Sequence, residues 1–219
     1  PQSETVWRQA DRYSIPRLAF VNKMDRIGAD FKRCLRMISE RLGANPLPLQ
    51  LPVGSEAGFK GVIDLIQEKM LSFNEQSLGQ EVVEEAIPDE HIEEFTAARM
   101  AILEKLADFD EDVMEKYLDD KPVSVEEIYR ALRKATLALE VVPVLCGSAF
   151  KNKGVQPLLD GVVKYLPSPV DIPVVHGLDK DGETVERKTG VKERFCGLVF
   201  KLMSDTFVEN LAFVRVYAG

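Results

Sequence analysis

Residues 20–31 read FVNKMDRIGADF, and the fold class turns on this stretch. It begins as an apolar run. Within four positions it then sets down an amide, an ammonium and a carboxylate: Asn22, Lys23 and Asp25. The run "RLAFVN" is short, continuous and apolar, the pattern of a strand buried on both faces of a parallel sheet. Asp30 to Leu42 is then helical, because Phe31, Cys34, Leu35, Ile38 and Leu42 fall on one face, and Gly43 reads as its C-terminal stop.

The pattern recurs more than a hundred residues later. "VVPVLCGSAF", residues 141–150, is a second buried strand that leaves into Gly147-Ser148-Ala149. "GVQPLLDGVVKYL", residues 154–166, supplies the following helix, with Leu158, Leu159, Val162, Val163 and Leu166 as its apolar positions. In an open α/β sheet, ligands collect outside the carboxyl ends of the strands. The two polar exits share that edge if the strands are parallel neighbours.

A guanine base suits these residue types. Its ring N1–H and exocyclic amine form a pair of adjacent donors, which the two oxygens of Asp25 would accept together; adenine has the opposite polarity there. Asn22 can donate and accept, so it can serve N7 and brace the neighbouring loop. Lys23 can lay its stem over the base face. Ser148 and Ala149 are small enough for their backbone N–H groups to approach the guanine oxygen. An unpaired carboxylate on the wrong base is costly, which gives selection. The plainer alternative for Asn22–Asp25 is a solvated turn after a strand, with Asp25 as a cap, since a four-residue match is weak alone. Two exits in the right order, each after a buried strand, form a stronger signal.

Around this frame, Ser3 to Tyr13 reads as a short helix with Val6, Trp7, Ala10 and Tyr13 inward. Between Asn45 and Phe73, Pro46, Pro48, Pro52, Gly54, Gly58 and Gly61 punctuate short apolar runs, as in a small strand-rich insert. Pro88 to Glu140 is helical and acidic, with one stripe of Phe95, Ile102, Leu103 and Leu106 and another of Val113, Met114, Tyr117 and Leu118. Ser124 with Glu127 forms a capping box, opening a helix with Ile128, Leu132, Ala135 and Leu139 inward. Pro167 to Pro173 makes a stiff linker. Beyond it come an Asp181-Gly182 hairpin and two barrel-like strands, "RFCGLVFKL" and "LAFVRVYAG", with Met203, Asp205 and Phe207 as packing and turn residues.

Composition limits the function classes. The chain has 219 residues, with 28 Lys and Arg against 36 Asp and Glu, for a net charge of −8. This argues against a broad nucleic-acid-binding face, which needs clustered cations. Cys34, Cys146 and Cys196 are widely spaced and lack a CxxC pair, so reduced buried thiols are expected rather than a disulfide or zinc framework. His91 and His176 are too isolated for a metal site. No stretch approaches a membrane span. The opening on Pro1 and the closing strand suggest a piece of a longer polypeptide.

Beyond residue chemistry, "PQSETVWRQADRYSIPRLAFVNKMDRIGADF", "LPLQLPVGSEAGFKGVIDLI", "ALRKATLALEVVPVLCGSAFKNKGVQPLLDGVVKYLPSP" and "FKLMSDTFVENLAFVRVYAG" resemble the bacterial elongation factor G family, ribosome-dependent GTPases that drive translocation of messenger and transfer RNA. The resemblance runs over nearly the whole chain and weakens between about Asn74 and Asp110.

It implies an α/β fold: a partial P-loop-type GTPase domain with an α+β insert, then an incomplete antiparallel β-barrel. Residues 1–43 and 141–166 would form the carboxyl-terminal half of the GTPase domain, residues 44–140 the inserted subdomain, 167–173 the linker and 174–219 the barrel start. By the family pattern Asn22, Lys23 and Asp25 read the base, Met24 lines it, and Ser148 and Ala149 close it. GTP or GDP is the implied ligand. The sequence contains no G-x-x-x-x-G-K-[ST] loop. In the family this loop, the Asp-x-x-Gly segment and the switch histidine hold the phosphates and Mg²⁺ and orient the attacking water, and they would precede Pro1. The resemblance therefore implies base recognition without catalytic residues or metal ligands, and a chain that alone hydrolyses no GTP and binds nucleotide weakly or not at all. The implied partner is the ribosome, through the stalk protein at the insert and ribosomal RNA through the parent protein, in the cytoplasm, with neither membrane nor sequence-specific nucleic-acid binding by this chain.

Two alternatives stand beside this reading. The chain could be a non-catalytic module whose acidic insert binds a ribosomal protein, with Asn22–Asp25 purely structural. It could also be a sibling translational GTPase of the release-factor or ribosomal-protection type. The acidic run from Glu81 to Asp120 reads mostly as a solvated face, and Lys151 and Lys153 read as exposed loop.

Overall fold

The structure is a computed structural model that describes residues 2–74, 77–171, 174–204 and 211–219. The sequence readings at Pro1, Pro173, Asp205 and Phe207 lie outside those residues. Residues 1–166 and 167–219 form two units.

In the first unit, helix α1 (Gln2–Arg12) leads to strand β1 (Ala19–Val21) and helix α2 (Phe31–Leu42). Strands β2 (Pro46–Pro48), β3 (Gln50–Val53), β4 (Gly61–Asp64), β5 (Lys69–Phe73) and β6 (Val82–Glu85) follow. Then come helices α3 (Ile92–Ala107), α4 (Glu111–Leu118) and α5 (Val125–Leu137), strand β7 (Val142–Cys146) and helix α6 (Val155–Tyr165). The helix ends obey local chemistry. Asp30 caps α2 by accepting from Arg33 N at 2.8 Å, and Gly43, at φ 63°, closes it with its N–H on Ser39 O. Ser124 and Glu127 form the reciprocal capping box that starts α5.

Two sheets share this unit. One is parallel in the order β1-β7-β2; the other is antiparallel in the order β3-β4-β5-β6. β7 is central and buried at every residue, whereas β1 is an edge strand and only half-buried. Within this chain β1 is therefore less covered than β7. The parallel sheet also extends past residue 43, because Pro46–Pro48 pairs with Val142–Val144. These prolines are tolerated because β2 is an edge strand.

One core cluster packs β3 and β4 against α3, α4 and α5, with Ile63, Leu65, Ile102, Leu106, Val113 and Leu132 at its centre. A second gathers Met24, Phe31, Phe59, Val62, Leu71, Phe73, Val144 and Cys146 beneath the parallel sheet. Several positions read as inward are not. Val6 of α1 and Tyr13, just past its end, are exposed, and Trp7 is half-buried under the Arg17 guanidinium, 4.6 Å from its ring centre. Met114, Leu118 and Leu139 face out. On α6 the sequence stripe Leu159, Val162 and Val163 is exposed, while Gly161 and Tyr165 pack inward. At Gly161 a Cβ would meet the Leu145 side chain at 3.4 Å, an ordinary contact distance, so this is the face of α6 turned toward β7.

The second unit contains β8 (Val174–Leu178) paired with β9 (Thr184–Lys188), and β10 (Cys196–Met203) paired with β11 (Leu211–Ala218), both antiparallel. The β8–β9 turn runs from Asp179 to Glu183, wider than an isolated Asp-Gly pair: Gly182 N donates to Asp179 O, Asp179 N donates to Glu183 O, and Gly182 sits at φ 82°. The whole is a mixed α/β chain with an antiparallel carboxyl-terminal part. No disulfide joins the cysteines; Cys146 is buried, and Cys34 and Cys196 are half-buried. Among the described residues no helix is long and apolar enough to cross a membrane.

Candidate functional site

β1 and β7 run parallel in the register Ala19↔Val144 to Val21↔Cys146. Their ladder continues beyond the strand ends, with Gly147 N donating to Val21 O and Met24 N donating to Gly147 O, each at 3.0 Å. The two polar exits therefore meet at one carboxyl edge. Lys23, at φ 65°, turns the chain so that Met24 can make its bond. Gly147 has no room for a side chain: a Cβ would stand 2.2 Å from Lys153 O and 2.9 Å from the Phe20 ring.

Two hydrogen bonds cross between the exits. Ser148 Oγ donates to Asp25 Oδ1 at 2.7 Å, and Ala149 N donates to Asn22 Oδ1 at 2.9 Å. Asn22 Oδ1 also accepts from Lys23 N at 2.7 Å. The Ser148 hydroxyl is the main reason the Asp25 carboxyl lies below the usual aspartate range; partial burial opposes it, and a backbone hydrogen bond with the Lys151 and Arg26 charges adds to it. The Lys151 ammonium stands 3.7 Å from Asp25 Oδ2. Asp25 is thus held ionised, anchored through one oxygen, with the other turned to a loosely associated cation. An ionised carboxylate accepts at both oxygens, so this arrangement can still receive two adjacent N–H donors.

Asn22, Lys23, Asp25, Ser148 and Ala149 come together at this edge. Met24 does not line it. Its side chain is 2 % exposed and sits in the core with Phe31, Phe59 and Val62, where it anchors the loop. The backbone donors behave differently from the expectation as well. Ser148 N donates to Lys153 O at 2.8 Å and Ala149 N to Asn22, so both are engaged within the protein. Lys151 is half-exposed beside Asp25, whereas Lys153 is buried, with its ammonium on Phe59 O at 3.1 Å.

Glu56 is a contact that sequence spacing did not flag. Its N–H donates to Met24 O at 3.1 Å, and its Oε1 accepts from Gly28 N at 2.8 Å. The only hint was Gly54, Gly58 and Gly61, which mark a tight segment without saying what it touches. Among the described residues no group of three or more His, Cys, Asp or Glu side chains could hold a metal ion.

Residues 1–168 match the family described as the Elongation factor Tu GTP binding domain. Over all 219 residues the chain is 68 % identical to Elongation factor G 2 of Desulfotalea psychrophila and spans 32 % of that protein's length. A crystal structure from Thermus thermophilus matches 99 % of the chain with a TM-score of 0.78 at 29 % identity, and the match spans 29 % of that protein. The chain thus covers about a third of the length of its curated relative. With the match covering both polar exits and the strands that deliver them, the chain belongs to the elongation factor Tu GTP binding domain family.

Proposed function

We propose that this chain is the guanine-recognising part of an elongation factor G, the ribosome-dependent GTPase of translocation. The observation that carries the reading is the joining of Asp25 to Ser148 and of Asn22 to Ala149 at one sheet edge. Asp25, kept ionised, accepts the N1–H and amine of the base. Asn22 uses its oxygen to brace the second loop, so its amide hydrogens are what it offers to N7. Lys23 covers the base face. The Ala149 N–H reaches the guanine oxygen by exchanging or sharing its bond with Asn22.

Phosphate binding, Mg²⁺ and water activation belong, on this reading, to other parts of the full-length protein, whose relative is about three times longer than the chain. The chain then supplies base selection without turnover. The insert, taken as residues 44–140, is the face for the ribosomal stalk protein, contacts with ribosomal RNA come through the parent protein, and the setting is the cytoplasm. The barrel start is assigned to residues 174–219.

The test is Asp25→Asn in the full-length protein, with GDP and xanthosine diphosphate as ligands. Xanthine has a carbonyl where guanine has the amine, so an amide at position 25 should weaken GDP by about a hundredfold and favour xanthosine diphosphate, as expected when charge-assisted hydrogen bonds to the base are lost. An unchanged preference would exclude the base-reading role.

A further inference from the structure

We infer that Glu56 and Lys153 are positioning residues for base recognition, acting through the segment between β3 and β4 that clamps both recognition loops from behind; this rests on the guanine reading above. The segment touches each loop by a separate route. Glu56 brackets the first loop: its backbone N–H holds Met24 O at 3.1 Å, and its carboxylate holds Gly28 N at 2.8 Å. Asp25 lies between those two anchor points. Three residues further on, Phe59 O accepts the buried Lys153 ammonium at 3.1 Å. The Lys153 backbone in turn pairs with Ser148 in both directions, N to O at 3.0 Å and O from N at 2.8 Å. The partners Asp25 and Ser148 are therefore each set by the same short segment.

That segment is shaped for the task. Glu56 adopts φ 53°, a left-handed conformation that a non-glycine residue holds only where its surroundings impose it. Gly54, at φ 77°, lies so close to the end of the turn that a Cβ would meet Gly58 O at 2.1 Å. Phe59 is 2 % exposed and shares a core cluster with Met24. The clamp is thus fixed at its base by core packing and at its tips by charge-assisted hydrogen bonds, the kind that hold geometry best. Neither Glu56 nor Lys153 is placed to contact the base; each acts through the loop it holds. A displacement of about 1 Å at a recognition group is enough to lose much of its effect.

The experiment uses the full-length protein with GDP and inosine diphosphate, which lacks the exocyclic amine. In Glu56→Ala, GDP dissociation should speed up about three- to tenfold, the factor carried by one hydrogen bond, and the preference for GDP over inosine diphosphate should fall by a similar factor. Glu56→Gln should restore both, because an amide oxygen still accepts from Gly28 N–H. If Glu56→Ala fails to fold, Lys153→Met reads out the same ratio through the second loop. A lowered thermal midpoint with an unchanged GDP-to-inosine ratio would overturn the inference and leave Glu56 a structural residue. Asp25→Asn separates the two proposals. If it shifts base preference and Glu56→Ala does not, only the clamp fails. If Asp25→Asn shifts nothing, the guanine reading itself fails, and the clamp with it.

Discussion

Ser148 and Asp25 stand 123 positions apart in sequence, yet the serine hydroxyl donates to the aspartate carboxylate at 2.7 Å. The parallel pairing of β1 with β7 makes this contact inevitable: once Val21 is opposite Cys146, the next few residues of each chain share one edge. The site is thus a consequence of sheet register, and its electrostatics follow from which small polar residue the second strand delivers.

Removing that hydroxyl should be visible as a pH effect. Asp25 titrates below its ordinary value of 3.8 in the folded chain, chiefly because of Ser148. A carboxyl whose folded value is depressed stabilises the fold above the ordinary value, and the contribution is lost as pH falls through the folded one. Ser148→Ala should therefore lower stability by about 1–2 kcal/mol near neutral pH, as for a hydrogen bond to a charged group. The difference between the two proteins should begin to shrink below pH 3.8, where Asp25 of the unfolded chain takes up its proton, and go on shrinking until pH passes the lower folded value. Thermal midpoints at pH 7 and pH 3 check this; a gap of equal size at both would show that the serine acts by packing alone.

The start of α5 has the same sign and a wider window. Lys116 Nζ stands 2.7 Å from both Glu127 oxygens, and Ser124 N and Oγ each donate to Oε2 at 2.9 Å. Lys116 foremost, then Ser124, brings the Glu127 carboxyl from 4.5 to about 2. The cap contributes fully above pH 4.5 and is lost as pH falls toward about 2. Lys116→Met should raise the Glu127 titration midpoint, read by carboxyl carbon NMR. Ser124→Ala should lower stability by about 1 kcal/mol through loss of the N-cap. An unmoved Glu127 midpoint in Lys116→Met would remove the ammonium as its cause.

What was legible in the sequence was local. Asp30 and Gly43 bound α2, and Ser124 with Glu127 starts α5, because caps are decided by residues three or four positions away. The two strand exits were legible because each carries its polar residues on a short segment next to an apolar run. Face assignment was less so. Periodicity reports that Leu159, Val162 and Val163 line up, but not that α6 turns its opposite face, with Gly161 and Tyr165, toward Leu145. Apart from the β1–β7 neighbourhood, which the two polar exits suggested, pairing at long range was not legible. Pro46–Pro48 joins the parallel sheet although its prolines resemble loop punctuation, and the buried Lys153 ammonium donates to Phe59 O, 94 positions away. Nothing in the letters around either residue encodes such a partner.

Gln50 shows the same limit from inside the core. Even-numbered residues of β7 turn their N–H groups toward β2: Val142 N donates to Asn45 O. β2 ends at Pro48, opposite Val144, so Cys146 N faces a position the strand no longer fills. Gln50, 1 % exposed, fills it with its side chain, Oε1 accepting from Cys146 N at 3.1 Å. A side-chain amide thus extends the ladder by one bond, right beneath Gly147 and Ser148. Gln50→Leu keeps the volume close and removes the acceptor, leaving the buried Cys146 N–H unpaired at a cost of about 1–3 kcal/mol, offset in part because the Gln50 amide nitrogen is itself buried without a partner. The fold should survive with lower stability, and hydrogen exchange at the Cys146 amide should accelerate more than at Val144, whose place in the ladder is unchanged. Equal protection at the two amides in the variant would mean that Cys146 had found another acceptor and that the glutamine is not the rung that ends this sheet.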